Sequence, residues 1–174
     1  MGSITFYRVH LDRGMNAVRV MEEESEELDE IAQALLDPST GNFTEEASSV
    51  LPYVGSSLLV MDKVTLDEPW RGHGLGAVLA TEAIHRLMAG CRAIACSPGV
   101  TDLSDRLRDR TEWDRVTTKI ARGWEFIGFR HYQGNIYLVS PASLELEEQR
   151  GAMRGRLAGL GIIWRRTQAR HTSP

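Results

Sequence analysis

The stretch WRGHGLGAVLATEAIHRL, residues 70–87, constrains the fold most strongly, because it places three glycines in five positions directly before an amphipathic helix. Gly72, Gly74 and Gly76 allow the backbone to approach a ligand closely and to adopt conformations that other residues avoid. The helix that follows adds unpaired N–H groups and the positive end of its dipole. Together these features predict an anion site, most often a site for phosphate.

The segments around this glycine loop predict a strand, a loop, a helix and a second strand. A nearly continuous apolar run at 56–66, SSLLVMDKVTL, predicts a buried central strand. The helix is expected over about 75–88 and ends before Gly90, and CRAIACS at 91–97 predicts the next buried strand. This order predicts a parallel pair of strands joined by a right-handed crossover.

The rest of the chain predicts further alternating elements of an α/β (α+β) fold. Alternation in ITFYRVHL (4–11) indicates a first strand, helical spacing indicates one acidic helix over 23–36, and 37–46 is predicted to be a loop. The segment 98–112 is polar and irregular, and a second amphipathic helix follows with Val116, Ile120, Trp124 and Ile127 on one face. The segment 129–139 predicts a hairpin around a Gln-Gly-Asn turn. Beyond Ser143 we expect a frayed surface helix, diluted by four glycines, and an Arg-rich tail.

Composition excludes several classes of function. The 174 residues carry a net charge of −4, which argues against general affinity for nucleic acid or an anionic membrane. No apolar run approaches the length of a membrane span, and the N-terminus lacks a signal-peptide core. Cys91 and Cys96 have neither metal-ligand spacing nor a disulfide framework. We therefore expect reduced thiols, no metal and a cytoplasmic protein.

Two common phosphate-binding motifs do not fit the glycine loop. A Walker loop requires a Lys and a Ser or Thr directly after its last glycine, and none follows here. A dinucleotide-binding loop requires Gly-x-Gly-x-x-Gly, but Ala77 occupies the last position. Cys96 and Ser97 also stand where that fold has an acidic residue, so a dinucleotide site is disfavoured.

A third motif matches. The sequence from Arg71 to Gly76, Arg-Gly-His-Gly-Leu-Gly, is similar to the Arg/Gln-x-x-Gly-x-Gly/Ala signature of the GNAT superfamily of acyl-CoA N-acyltransferases. WEFIGFRHY (124–132) resembles the end of a helix in that family, with Gly128 and Phe129 at the expected distance. The resemblance covers roughly 56–139. It implies a mixed, splayed central sheet flanked by helices, with a terminal β-hairpin.

The resemblance also implies a domain organisation and an activity. One GNAT-like domain would span 1–142, with its core at 56–139, followed by the C-terminal helix and Arg-rich tail at 143–174. The activity would be N-acetyltransfer, in which acetyl-CoA acylates a small-molecule or peptide amine directly, with no nucleic acid or membrane as partner and a homodimer left open. The alternative is a catalytically reduced acyl-CoA-binding or regulatory module.

Residues of the central strand and the loop would bind the coenzyme in such a protein. The pyrophosphate would lie on the glycine loop, and the pantetheine arm would fill the gap where the strands at 57–66 and 91–97 splay apart. Trp124 would pack beside the arm, or simply in the core; Arg71 would contact the phosphates, or form a surface ion pair. The residues so implied are Val64, Thr65, Leu66, Arg71, Gly72, His73, Gly74, Leu75, Gly76 and Trp124.

The candidate catalytic residues are Asp62, Tyr132 and Tyr137. Asp62 is the only acid in the central apolar run, so it is either the base, acting directly or through water, or a structural partner of Lys63 or an arginine. Many family members protonate the leaving thiolate with a tyrosine, and Trp124 occupies that position here, so Tyr132 and Tyr137 are the substitutes. Thr117 likewise stands where the family often has a coenzyme-binding asparagine.

Overall fold

A computed structural model describes residues 2–52, 55–99 and 110–171. This part of the chain forms one five-stranded sheet in the order β1-β2-β3-β5-β4, in which β2 and β3 are parallel and the other neighbours are antiparallel. The predicted mixed α/β fold and the hairpin are confirmed at this level. The strands are β1 (Gly2–His10), β2 (Ser57–Leu66), β3 (Cys91–Cys96), β4 (Arg130–Gln133) and β5 (Ile136–Val139).

Six α-helices cover the two faces of the sheet within the described ranges. They are α1 (Ala17–Glu24), α2 (Glu26–Leu35), α3 (Glu45–Val50), α4 (Leu75–Leu87), α5 (Arg110–Phe126) and α6 (Leu144–His171), and a 3-10 turn spans Glu68–Trp70. In this part of the chain no helix is both long enough and apolar enough to cross a membrane. The predicted irregular segment 98–112 lies mostly outside the described residues, as do residues 172–174 of the tail.

Alternate residues of β2 pack into two different apolar clusters. Leu58 and Val60 join the cluster formed with α1, α2 and α3, whereas Leu59 and Met61 join the cluster formed with α4 and α6. All four side chains are at most 2% exposed. Both faces of the strand are therefore covered, which explains why its sequence is a continuous apolar run rather than an alternating one.

The N-terminal helical region differs from the single helix expected over 23–36. Ser25 is extended, with φ −163° and ψ 159°, and separates α1 from α2, while its hydroxyl accepts a hydrogen bond from the Leu28 N–H at 3.2 Å. α1 begins earlier, where the Asn16 side chain caps it, and α3 begins after Thr44, inside the predicted loop. Three helices rather than one thus precede β2, because side-chain caps interrupt a run whose acidic residues are compatible with continuous helix.

The C-terminal helix is also different from the frayed surface helix that its glycines suggested. α6 runs without interruption over 28 residues, and Leu146 and Met153 are buried in the cluster with α4. Arg150 and Arg154 donate hydrogen bonds to Glu82 of α4. The first half of α6 is therefore part of the folded core, because apolar contacts and ion pairs with α4 outweigh the low helix propensity of glycine.

β2 and β3 remain paired over only part of their length. Their register runs from Ser57–Cys91 to Val60–Ala95, and beyond this point the partners of 61–66 lie on β1. A bulge interrupts the ladder between β1 and β2, since Phe6 pairs with Met61 and Thr5 pairs with Lys63. Asp62 is therefore the extra residue of this bulge, at the position where β2 leaves β3.

Candidate functional site

A cleft of about 830 Å³ opens where β2 leaves β3. Its walls are α2, the second half of β2, the glycine loop with the first turn of α4, segment 96–99, and α5. This volume is within the roughly 300–1,000 Å³ range of small-molecule sites. The cleft brings together most of the residues that the sequence singled out: Asp62, Val64, Leu66, Arg71, Gly72, Gly74, Leu75, Gly76 and Trp124.

The glycine loop forms one end of the cleft. Gly72 and Gly74 have φ values of +80° and +73°, in the left-handed region that favours glycine. Gly74 is the N-cap of α4, and because it has no side chain, no side-chain oxygen caps the first turn. The N-terminal N–H groups of α4 are therefore left without a side-chain acceptor next to the cleft.

Gly76 plays a different part from the two glycines before it. It lies inside α4 and does not have a positive φ, so its backbone does not itself require glycine. A Cβ built there would lie 3.6 Å from Val64 Cγ1 and 3.7 Å from Leu66 Cδ1. These are ordinary van der Waals distances, so a methyl group at position 76 would pack against the second half of β2 without a clash.

Arg71 connects the loop to the end of β2. Its Nε donates a hydrogen bond to the Leu66 carbonyl at 2.6 Å, and the exposed side chain lines the cleft. Within the described ranges Arg71 has no carboxylate partner, so the surface ion pair considered as its alternative role is not formed there. Thr65 and His73 are exposed and are not part of the cleft wall.

Asp62 lies in the same cleft, on the bulge of β2. Its side chain is half-buried, and burial raises the pKa of the carboxyl, with the Glu27 carboxylate raising it further and Lys63 lowering it. Asp62 forms no ion pair with the described residues, so pairing with Lys63 or an arginine does not account for it there. A carboxylate that is harder to ionise is a stronger base once it has ionised.

The acidic wall beside Asp62 is formed by Glu27 and Glu30 of α2, which line the cleft. The sequence indicated an acidic helix over 23–36 but did not single out these two residues. Lys119 of α5 also lines the cleft. A spacing of three residues does put Glu27 and Glu30 on one face of α2, but which face turns toward β2 depends on tertiary packing.

The two candidate tyrosines lie away from the cleft wall. Tyr132 of β4 packs against the cluster of α1, α2 and α3 and lines a separate cavity of about 290 Å³. Tyr137 of β5 pairs with Cys96 in the sheet and packs edge-on against His131, with ring centroids 5.3 Å apart. Burial raises the pKa of Tyr137, with Glu125 adding to the effect, which makes its phenol a weaker acid.

Trp124, Thr117 and Cys96 are three further residues that the sequence analysis considered in this region. Trp124 is half-buried, lines the cleft and also packs against the cluster of α4 and α6. The Thr117 hydroxyl is buried without a hydrogen-bond partner in the described part of the chain and does not line the cleft. Cys96 is a free, buried cysteine whose pKa is raised strongly by burial, which keeps it a thiol.

Comparison with protein-family models, curated proteins and solved structures found no match to this chain. The resemblance to the GNAT superfamily therefore rests on the motif residues given above. Among the described residues, no group of three or more His, Cys, Asp and Glu side chains is arranged to hold a metal ion.

Proposed function

We propose that this protein is an acyl-CoA-dependent N-acyltransferase of the GNAT type, with acetyl-CoA as the donor and an amine as the acceptor. One observation carries the proposal: the uncapped glycine loop and the part of β2 that lacks a β3 partner line the same cleft. A coenzyme with a diphosphate and an extended amide-bearing arm matches both features. The diphosphate would bind at the helix N-terminus, and the arm would lie along the strand edge.

The proposed reaction is a direct transfer. The neutral amine nitrogen attacks the thioester carbonyl carbon, forming the C–N bond, and the C–S bond then breaks to release the coenzyme thiolate. Asp62, directly or through a water, accepts the proton that the amine loses. Backbone N–H groups of β2 near Val64 and Thr65 are the proposed donors to the carbonyl oxygen.

The leaving thiolate in this scheme takes its proton from solvent. Tyr132 and Tyr137 do not line the cleft, and the raised pKa of Tyr137 makes it a poorer proton donor. A thiol has a pKa of about 8.5, so a thiolate is already a good leaving group near neutral pH. A dedicated acid therefore matters less here than the base does.

The acidic wall suits an acceptor that carries more than one amine. Glu27 and Glu30 lie along the same cleft as Asp62 and would attract a protonated ammonium group. A second amine of the acceptor, in its neutral form, would then be the nucleophile.

A second candidate function is acyl-CoA binding without efficient transfer. The observation in its favour is that Trp124, which cannot donate a proton usefully, lines the cleft at the position where the resemblance expects a tyrosine. Calorimetry with acetyl-CoA, followed by thiol-release assays against a panel of amines, separates the two functions. Binding with amine-dependent thiol release supports transfer, binding alone supports the module, and absence of binding contradicts both.

A further inference from the structure

Arg156 of α6 reaches the glycine loop from a distant part of the sequence. A Cβ built at Gly74 would lie 3.0 Å from Arg156 Nη2 and 3.1 Å from its Cζ. The guanidinium therefore lies against the N-cap of α4, beside the uncapped first turn that opens on the cleft. The glycine motif alone does not indicate this contact, because it depends on how α6 packs along α4.

The packing of α6 on α4 fixes the position of Arg156. Leu146 and Met153 are buried between the helices, and Arg154 donates to both Glu82 carboxylate oxygens, at 2.7 and 3.2 Å. Arg150 donates to the same carboxylate at 3.3 Å. Arg156 lies three residues after the buried Met153, so the face of α6 that packs on α4 also carries the Arg156 side chain, which contacts the loop.

Arg156 differs from these neighbours because it has no carboxylate partner in the part of the chain that the structure describes. It is also exposed, so an anion can reach it from solvent. A cation next to the positive end of a helix dipole is unfavourable by itself. An anion bound between the guanidinium and the free N–H groups would accept hydrogen bonds from both and replace this repulsion with attraction.

We propose that Arg156 binds the diphosphate of the acyl donor, together with the first-turn N–H groups of α4 and with Arg71 at the start of the loop. The assignment rests on the function proposed above and adds a binding residue from outside the glycine motif. A guanidinium can donate two parallel N–H bonds to a phosphate, and such charge-assisted bonds are among the stronger ones in proteins.

Calorimetry with coenzyme A and with 3′-dephospho-coenzyme A tests the assignment on the full chain. Arg156→Gln should weaken both ligands about tenfold, because both keep the diphosphate and about 1.4 kcal/mol is a modest charge-assisted bond. Arg156→Lys should retain part of the affinity, since lysine restores the charge but not the two-pronged geometry. Arg86→Gln, the same change of charge in the last turn of α4, is the matched control and should leave both affinities within about twofold of wild type.

The possible outcomes distinguish this assignment from the proposed function. If wild type binds coenzyme A and Arg156→Gln binds it equally well, the role of Arg156 is wrong and the proposed function stands. If only coenzyme A loses affinity, Arg156 contacts the 3′-phosphate, which also overturns the diphosphate assignment. If wild type binds neither ligand, the proposed function fails and this inference fails with it. Melting temperatures of the variants confirm that each protein is folded.

Discussion

Asp62 is the extra residue of the bulge in β2, and its half-buried carboxylate lines the cleft. β-Bulges re-aim side chains and are frequent beside active sites. Asp62→Asn keeps the size of the side chain and removes proton acceptance. We expect kcat to fall about 10²- to 10⁴-fold, the usual contribution of a general base, with little change in coenzyme affinity. Steady-state kinetics and calorimetry on the same protein measure both quantities, and unchanged kcat would show that Asp62 is structural.

The same residue predicts a pH dependence with a defined sign. Because the base must be ionised, the rate should rise as the pH passes upward through the raised pKa of Asp62. Glu27→Gln removes a carboxylate that raises this pKa, so the acid limb of the profile should move to lower pH. The raised folded-state pKa also means that ionised Asp62 opposes folding as the pH rises, so Asp62→Asn should not lower the melting temperature at pH 7. Glu148→Gln, an exposed acid on α6, is the control that should leave the profile in place.

Variants of Trp124 distinguish the two candidate functions, acyl transfer and acyl-CoA binding alone. It lines the cleft where the resemblance expects a proton donor, and an indole N–H is a donor of hydrogen bonds only. If the cleft has the geometry of an acyltransferase, Trp124→Tyr should raise amine-dependent thiol release, by tenfold or more on the scale of acid catalysis. Trp124→Phe controls for the loss of the indole volume and should not raise it. Activity absent from wild type and Trp124→Tyr, with acetyl-CoA still bound, favours the binding module.

At the scale of elements, Gly90 and Gly151 both have room for a side chain but differ in backbone conformation. A Cβ at Gly151 in α6 or at Gly90 before β3 would meet no atom within 4 Å, but Gly90 has φ +77° and Gly151 is helical. Gly151→Ala should therefore stabilise the fold by about 0.4–1 kcal/mol. Gly90→Ala should destabilise it by about 1–2 kcal/mol. Melting temperatures should move in opposite directions, by about 2–4 °C per kcal/mol, and a shift of the same sign in both would contradict the argument.

The elements that sequence predicted correctly are those whose pattern is local. The apolar runs of β2 and β3 and the Gly134 turn of the hairpin all specify their structure within a few residues. The break at Ser25 was missed because a serine in an acidic run is compatible with helix, and its extended conformation is stabilised by capping α2. Leu87 of α4 is apolar but 37% exposed, because the buried stripe of this helix follows Val78 and Ile84.

The same limit applies to the candidate site: residues within a local sequence motif could be predicted, and residues brought in by tertiary packing could not. The glycine loop and Asp62 could be identified from their own segments, and the structure brings them into one cleft. Glu27 and Arg156 could not, because α2 reaches the cleft, and α6 reaches Gly74 of the glycine loop, only through the packing of distant helices. Tyr132 was proposed as a substitute for the tyrosine that Trp124 replaces, but from β4 it packs against the cluster of α1, α2 and α3.

At the scale of the whole molecule, the cleft lies where β2 and β3 stop pairing. The first half of β2 has a strand on each side, whereas 61–66 has β1 on one side and the cleft on the other. In the proposed complex the pantetheine arm takes the place of the missing strand, and the diphosphate closes the loop end. The ligand would thus complete the sheet and connect β2 to α4.

This arrangement predicts where the coenzyme protects the backbone from hydrogen exchange. Acetyl-CoA at about 100 times its Kd should slow exchange by up to about 100-fold at amides that open only in the free protein, in 72–77 and along 61–66. The β4–β5 hairpin does not line the cleft apart from Asn135 in its turn, so exchange within its strands should not change. Adenosine 3′-phosphate 5′-diphosphate keeps the diphosphate but lacks the pantetheine arm, so it should protect 72–77 without protecting 61–66. Equal protection of 61–66 by both ligands, or by neither, would contradict an arm lying beside β2, because only the arm distinguishes the two ligands there.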